Sequence, residues 1–368
     1  MKVVLISHGD LDHVLPYLEH MVGVGWEVHW LRIAPGDVVA PDGVIVHPCY
    51  RPGRGIRHCM FLKLAGYMAM GRRAGKLLGR IAPDVVTAHY ASSGGLVAWL
   101  SGFRPYVVTI HGGDLLDRYQ RLVGRFVLRR VLGNAAVVNP VCGHVTDIIE
   151  SLGVEPGRIV PLPFGIELDR FPYRPVENPL SSGLRVICTR SLDKALYDIP
   201  TVIRGVAEAR ALGLDATLTL PAAGKFQDEL ERLADELGMS EAISFGGGYQ
   251  LSELPQILSR HTVYVSASIF DGASLSLMEA MAAGVFPVVS DIPANREWLD
   301  DDKTALLFPT GDWRRLGRQL ASLPQRQDMV REALGVNRDI AAARADRNKN
   351  MQRFMELLSG QVQNPPAP

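Results

Sequence analysis

The chain has 368 residues, 47% of them hydrophobic. That is too long for one ordinary core and comfortable for two domains. Lys plus Arg and Asp plus Glu number 39 each, so the net charge singles out no class of partner. The four cysteines, Cys49, Cys59, Cys142 and Cys188, form no CxxC pair and no metal-ligand spacing, which speaks against a zinc module and for a reducing compartment.

The segment Met1 to Ser7 runs straight into a strand and carries no signal-peptide pattern. No apolar run reaches the ~18 residues needed to span a bilayer. Strands are expected at Val3–Ser7, Glu27–Arg32, Gly43–His47, Asp84–His89, Tyr106–His111, Ala135–Asn139 and Ile159–Leu162. Helical patterns of roughly 10–20 residues separate them, the signature of βαβ units with a buried parallel sheet. Around 170–183 three prolines and a polar cluster break the pattern and read as a linker. The alternation then restarts, with strands expected at Arg185–Thr189, Ala216–Leu220, Ile243–Phe245, Thr262–Ser266, Val285–Ser290 and Ala305–Phe308.

The expected plan is therefore α/β, with two doubly wound domains facing across a cleft, where ligands bind beyond the carboxyl ends of the strands. Residues 1–172 form the first domain, 173–183 the linker and 184–338 the second domain. A charged C-terminal helix follows over 339–360, with packing back on the first domain one option for it, and 361–368 read as a disordered tail.

Charge divides unevenly. Up to residue 175 there are 19 basic and 14 acidic residues, a net of +5, and beyond it 20 and 25, a net of −5. No acid lies between Asp42 and Asp84, while Arg51, Arg54, Arg57, Lys63, Arg72, Arg73, Lys76 and Arg80 do. This reads as a basic amphipathic helix, either solvated and packed on the sheet or lying on an anionic membrane surface through residues 51–80. A second acid-free stretch carries Arg118, Arg121, Arg125, Arg129 and Arg130. Without interleaved aromatic platforms, neither stretch suits nucleic acid.

The most informative segment runs from Ser268 to Asp291. A turn containing Gly272 opens a Leu/Met/Ala helix, Gly284 closes it, and a buried strand follows. Within that apolar helix stands Glu279, and Asp271 lies eight positions earlier at its mouth. A carboxylate in such surroundings is costly unless something pairs with it.

Asp271-x7-Glu279-Ala-Met-Ala-Ala-Gly resembles the acid-x7-acid region of family 4 of the retaining glycosyltransferases, enzymes of the GT-B architecture with two Rossmann-like domains. Thr109-Ile-His111-Gly-Gly-Asp114, Pro163 to Phe171, Thr189-Arg190-Ser-Leu-Asp-Lys194, Asp291 to Trp298 and Gly311-Asp312 resemble further elements of that family, in the same order. The resemblance covers roughly residues 85–325.

It implies a hexosyltransferase that moves a sugar from a nucleotide-diphosphate-sugar to a hydroxyl of a glycan or lipid-linked acceptor, with retention, in polysaccharide or glycolipid synthesis. Arg190 and Lys194, with the helix N-terminus at Gly272, Ser274, Leu275 and Ser276, would hold the diphosphate, so neither metal nor cofactor is expected. Glu279 would bind the ribose hydroxyls, Asp271 the donor sugar, and His111 would approach the reaction centre from the opposite domain. The base would meet the loop at Gly246, Gly248 and Tyr249, and the acceptor side would include His8, Gly9 and Asp114.

The chain departs from the family in carrying Asp271 where Glu is usual, in lacking the glycine-rich first loop and in lacking a glycine after Lys194. Duller readings stand beside these: a salt-bridged core residue for Glu279, a cap for Asp271, a surface ion pair for Arg190, and a structural role for His8, His13 or His111. A non-catalytic nucleotide-sugar-binding subunit of a glycan assembly complex and a GT-B epimerase remain as alternatives. The expected location is cytoplasmic, with the inner face of the membrane an option.

Overall fold

A computed structural model describes residues 1–8, 11–35, 39–49, 60–173, 180 and 183–363. Gly9, the linker residues 174–179 and 181–182, and 364–368 of the expected tail lie outside the described residues, as do Arg51, Arg54 and Arg57. The chain divides into two compact units: 1–164 with 348–368, and 165–347.

In the first unit the order is β1 (Lys2–Ser7), α1 (Leu11–Gly23), β2 (Glu27–Arg32), β3 (Val44–Pro48), α2 (Met60–Ile81), β4 (Val85–His89), α3 (Gly95–Ser101), β5 (Tyr106–Ile110), α4 (Gly113–Tyr119), α5 (Leu122–Gly133), β6 (Val137–Pro140) and α6 (Thr146–Ser151). Its sheet runs β3-β2-β1-β4-β5-β6, all parallel, with Lys2 opposite Glu27 and Val3 opposite Val85. This is the doubly wound order, and the chain reverses direction between β1 and β4. Val85, Val86, Val107 and Val108 are wholly buried, as strands covered on both faces must be.

The second unit holds β7 (Leu184–Ile187), α7 (Ile199–Ala211), β8 (Ala216–Leu220), α8 (Gln227–Glu236), β9 (Ile243–Phe245), α9 (Leu254–Leu258), β10 (Val263–Ser266), α10 (Leu275–Ala283), β11 (Phe286–Ser290), α11 (Pro293–Arg296), β12 (Leu306–Phe308), α12 (Trp313–Ser322) and α13 (Gln327–Arg344). The sheet order β12-β11-β10-β7-β8-β9 repeats the doubly wound plan, with its reversal between β7 and β10. Gly284 ends α10 with φ +72, a left-handed cap that glycine adopts at least cost.

Three expectations need correction. Ile159–Leu162 is no strand of its own: Val160 and Leu162 donate to Val138 and Pro140, yet among the described residues its ladder contact is one isolated bridge from Ile159 to Val138. The N-terminal stretch of the first unit runs to Phe164, not 172. The helix expected over 339–360 is two helices. Its first residues finish α13, the chain breaks at Ala345–Asp346, where Asp346 bridges Ile166, and α14 (Arg347–Gln363) follows. From Asn348 onward the chain belongs to the first unit, where the buried Phe354 ring meets Tyr17 at 4.9 Å.

Candidate functional site

In the second unit the switch point gathers the expected groups. Arg190 lies just past the end of β7, and Ser268 and Asp271 lie just past β10, so the adjacency of these two strands brings residues 78 apart in sequence into contact. Arg190 is 8% exposed. Its Nε and Nη2 donate to Ser268 Oγ at 3.2 and 3.1 Å, and Nη1 donates to Ser276 Oγ at 3.1 Å. Nη2 also pairs with Asp271. Under the guanidinium lies Tyr197, its ring centre 4.4 Å away, and the exposed Lys194 comes within 5.6 Å of the same ring. Arg190 is thus held on every side, while the Lys194 ammonium rests only near the face of Tyr197 among the described residues.

Asp271, expected to meet a sugar, here neutralises Arg190, and its Oδ1 accepts the Gly272 N–H at 2.9 Å. Ser274 caps α10, its Oγ accepting the Leu277 N–H at 3.3 Å. Ser276 joins Arg190 to Tyr264, whose hydroxyl lies 2.8 Å from Ser276 Oγ. The free N–H groups at the start of α10 therefore sit in the same cluster as the buried cation, an arrangement that favours an anion.

Glu279 is half-buried on α10. Burial raises its pKa to about 7, against the opposing pull of Arg347, Arg170 and Arg190. Those cations lessen the desolvation penalty without cancelling it. Arg347 is engaged with Glu167 Oε1 at 2.7 Å. Tyr249, from the expected base loop, lies close enough to Glu279 for that carboxylate to help hold its phenol up, second to burial.

Gly246, Gly248 and Tyr249 line a pocket of about 490 Å³ together with Arg185, Thr219 and His261. Arg190 and Glu279 are not among its lining residues. Lys194 borders a different pocket of about 270 Å³ with Asp198 and Phe226.

In the first unit the carboxyl ends of β4 and β5 assemble imidazoles. His89 ends β4 and its Nδ1 lies 3.2 Å from His111 Nε2. His13 on α1 approaches His111 at 5.7 Å between ring centres, and Tyr90 stacks on it at 4.2 Å. Burial pushes His89 down to about 3, and burial together with the neighbouring rings holds His111 well below the ordinary range. Both are neutral near pH 7. His89 Nε2 is buried with no hydrogen-bond partner among the described residues. A neutral imidazole puts its one proton where an acceptor exists, so His89 donates through Nδ1 to His111 Nε2, leaving the proton of His111 on Nδ1.

Asp114, expected on the acceptor side, commits its two oxygens to the backbone instead. Oδ2 accepts the Ala91 N–H at 2.6 Å and Oδ1 accepts the His111 N–H at 3.1 Å. It fastens the loop after β5 to the π-helical turn Tyr90–Gly94, and burial raises its pKa to about 6 against those N–H groups. His8 is half-buried at the end of β1.

Sequence reasoning missed Ser268, Tyr197, Arg170, Arg347, His89 and Tyr90. For His89 a signal existed: the strand end at the switch point is where ligands gather. For Tyr90 there was none, because a φ of +66 on a bulky residue costs roughly 1–3 kcal/mol and is never the expectation.

Comparison with known proteins bears on the family and the fold. Residues 13–170 match the family model described as glycosyltransferase family 4, and residues 189–337 match that described as glycosyl transferases group 1. WcaL of Salmonella typhimurium, which carries the name of a colanic acid biosynthesis glycosyltransferase, is 23% identical over 353 residues, spanning 87% of this chain and 82% of its own. A GDP-mannose-dependent phosphatidylinositol monomannoside mannosyltransferase of Mycolicibacterium smegmatis is 26% identical over 295 residues, 74% of this chain and 75% of its own. Among solved structures, sucrose-phosphate synthase of Thermosynechococcus elongatus superposes with a TM-score of 0.77 at 17% identity, covering 99% of both chains. Anabaena HepE, solved with UDP, gives 0.76 at 15% identity, covering 98% of this chain and 100% of its own.

Proposed function

We propose that this chain, which belongs to family 4 of the glycosyltransferases and has the GT-B fold, is a retaining hexosyltransferase using a nucleotide-diphosphate-sugar donor. Arg190 carries the reading: a buried guanidinium at the switch point, braced by Ser268, Ser276 and Tyr197, beside the start of α10. A fixed cation pays little reorganisation when charge develops on a leaving diphosphate, and that stabilisation is a large catalytic term.

In the proposed step the donor C1–O bond breaks and its electron pair goes to the terminal phosphate oxygen. The acceptor hydroxyl forms the new C1–O bond on the same face, and its proton passes to the departing phosphate. The diphosphate takes over Arg190 from Asp271, which is then free to accept hydrogen bonds from sugar hydroxyls. Glu279 accepts from the ribose hydroxyls, and Gly246, Gly248 and Tyr249 border the base. The neutral His111 hydrogen-bonds a substrate hydroxyl. With Arg190, Lys194 and the helix N-terminus as the positive groups, we assign no role to a metal ion.

The acceptor we propose is a glycan or lipid-linked hydroxyl, in line with the names of the relatives above, and we place the reaction at the cytoplasmic face of a membrane. No described helix is long and apolar enough to cross a membrane. The test is nucleotide release from UDP-, GDP- and ADP-sugars, with and without cell lipid, in the presence of EDTA, followed by NMR of the product anomer. Release abolished by EDTA overturns the metal-free reading, and an inverted product overturns retention. Tight nucleotide binding with no release from any donor makes the chain a binding subunit instead.

A further inference from the structure

α5 turns apolar side chains to solvent. Leu122 is 84% exposed, Val123 65% and Phe126 59%, while Leu128, Val131 and Leu132 on the opposite side are buried. At about 100° per residue, Leu122, Val123 and Phe126 fall within one outward arc, Arg125 and Arg129 border that arc on one side, and Arg130 stands within it beside Phe126. Arg130 stacks over Phe126 at 5.2 Å, and Arg125 over Tyr119 at 4.5 Å. A helix that only covered a sheet would point these residues inward and leave the outer face polar.

The neighbouring helices extend the surface. The strand order sends β3→β4, β4→β5 and β5→β6 the same way across the sheet, and right-handed crossovers place α2, α3 and α5 on one face. α3 packs against both α2 and α5. Gly71 and Gly75 let α2 approach α3 closely: a Cβ there would lie 2.4 Å from Leu100 Cβ and 2.7 Å from the Ser101 carbonyl oxygen. That orientation leaves Arg72, Arg73, Lys76 and Arg80 exposed. The three helices contain Lys63, Arg72, Arg73, Lys76, Arg80, Arg125, Arg129 and Arg130 and not one Asp or Glu.

We infer that this helix layer docks on an anionic lipid bilayer, with Leu122, Val123 and Phe126 entering the acyl boundary and the arginines of α5 and α2 meeting the headgroups. The apolar arc with a cationic border is the complement of such an interface, where apolar burial and charge attraction add. The layer extends beyond residues 60–81, and α5 supplies the inserting part. This rests on the exposed face alone and does not depend on the donor chemistry.

The test is flotation of the full-length chain with vesicles of phosphatidylcholine containing phosphatidylglycerol, against phosphatidylcholine alone. Binding to the anionic vesicles is expected, weakened by salt, and at least tenfold weaker in the double variant Leu122→Asp, Phe126→Asp. Circular dichroism and thermal melting of that variant should match the wild type, since both side chains are exposed. A second variant, Arg125→Gln with Arg129→Gln, should lose affinity for anionic vesicles alone. No flotation of the wild type, or undiminished flotation of the Leu122/Phe126 variant, overturns the inference. So does a wild-type dimer in solution that this variant converts to a monomer, which would give the face to a second copy.

Discussion

The guanidinium of Arg190 and the carboxylate of Asp271 form an ion pair at the point where the second sheet reverses its strand order. The pair leaves Arg190 no bare charge, yet both partners sit where a bound diphosphate and its sugar would compete for them. Asp271→Asn should remove that competition. We expect free nucleoside diphosphate to bind several-fold tighter by calorimetry while kcat falls, because the sugar loses a charged acceptor. A fall in affinity instead would mean that Asp271 orders Arg190 rather than competing for it.

Arg190→Lys keeps the charge and loses the fork that spans Ser268 and Ser276. Turnover measured by nucleotide release should drop by about 10²-fold or more, on the scale of losing one preorganised donor at a developing oxyanion. The folded content by circular dichroism should stay unchanged.

Glu279 supplies a pH dependence. Its pKa is raised to about 7, and hydroxyl donors on a ribose favour the ionised form. Donor affinity should therefore rise with pH up to about 7 and level off above it, changing by up to about tenfold per unit on the acid side. The stability sign runs the other way. Between the unfolded carboxyl value and about 7 the folded chain holds the extra proton, so this group's contribution to stability falls as pH rises. Glu279→Gln should flatten the affinity profile at the weaker level, and at pH 8 it should melt no lower than the wild type.

His89 acts through another ring. Its one hydrogen-bond partner among the described residues is His111, and burial keeps it neutral. His89→Leu should lower kcat while leaving nucleotide affinity intact, because the donor groups of the second unit are untouched. Neither imidazole should give a transition in the rate profile between pH 5 and 8, whereas a wild-type inflection that vanishes in this variant would contradict the tautomer assignment.

Much of the architecture could be read from apolar runs alone. Ala216–Leu220 and Ile243–Phe245 coincide with β8 and β9, because a buried parallel strand is a short Val/Ile/Leu run with turn residues at each end. The candidate site residues on the loops after β5, β7 and β10 were named through the family resemblance, because apolar periodicity locates strand ends but assigns no role to the side chains beyond them. What escaped depends on distant partners. Ile159–Leu162 has strand composition, but its backbone bonds stop at one bridge. The break at Ala345–Asp346 is made by Ile166, whose N–H bonds to the Ala345 carbonyl at 2.7 Å and which no local pattern connects to it. Arg347 and Arg170 reach Glu279 through tertiary folding that periodicity does not encode.

Phe354 reports on α14. It is wholly buried against Tyr17, so Phe354→Ala should cost about 3–5 kcal/mol in the first unit. Urea unfolding followed by a probe in that unit should shift, while one in residues 165–347 should not.

The placement of α14 also sets an order of assembly. The first unit takes its final helix from the last segment of the chain, after the whole of 165–347 has been made. On the ribosome the second unit has all its residues first, and the unit begun first waits with the surface around Tyr17 uncovered until residue 354 emerges. A stop codon at 348 would therefore leave 165–347 intact and damage the unit whose synthesis began first.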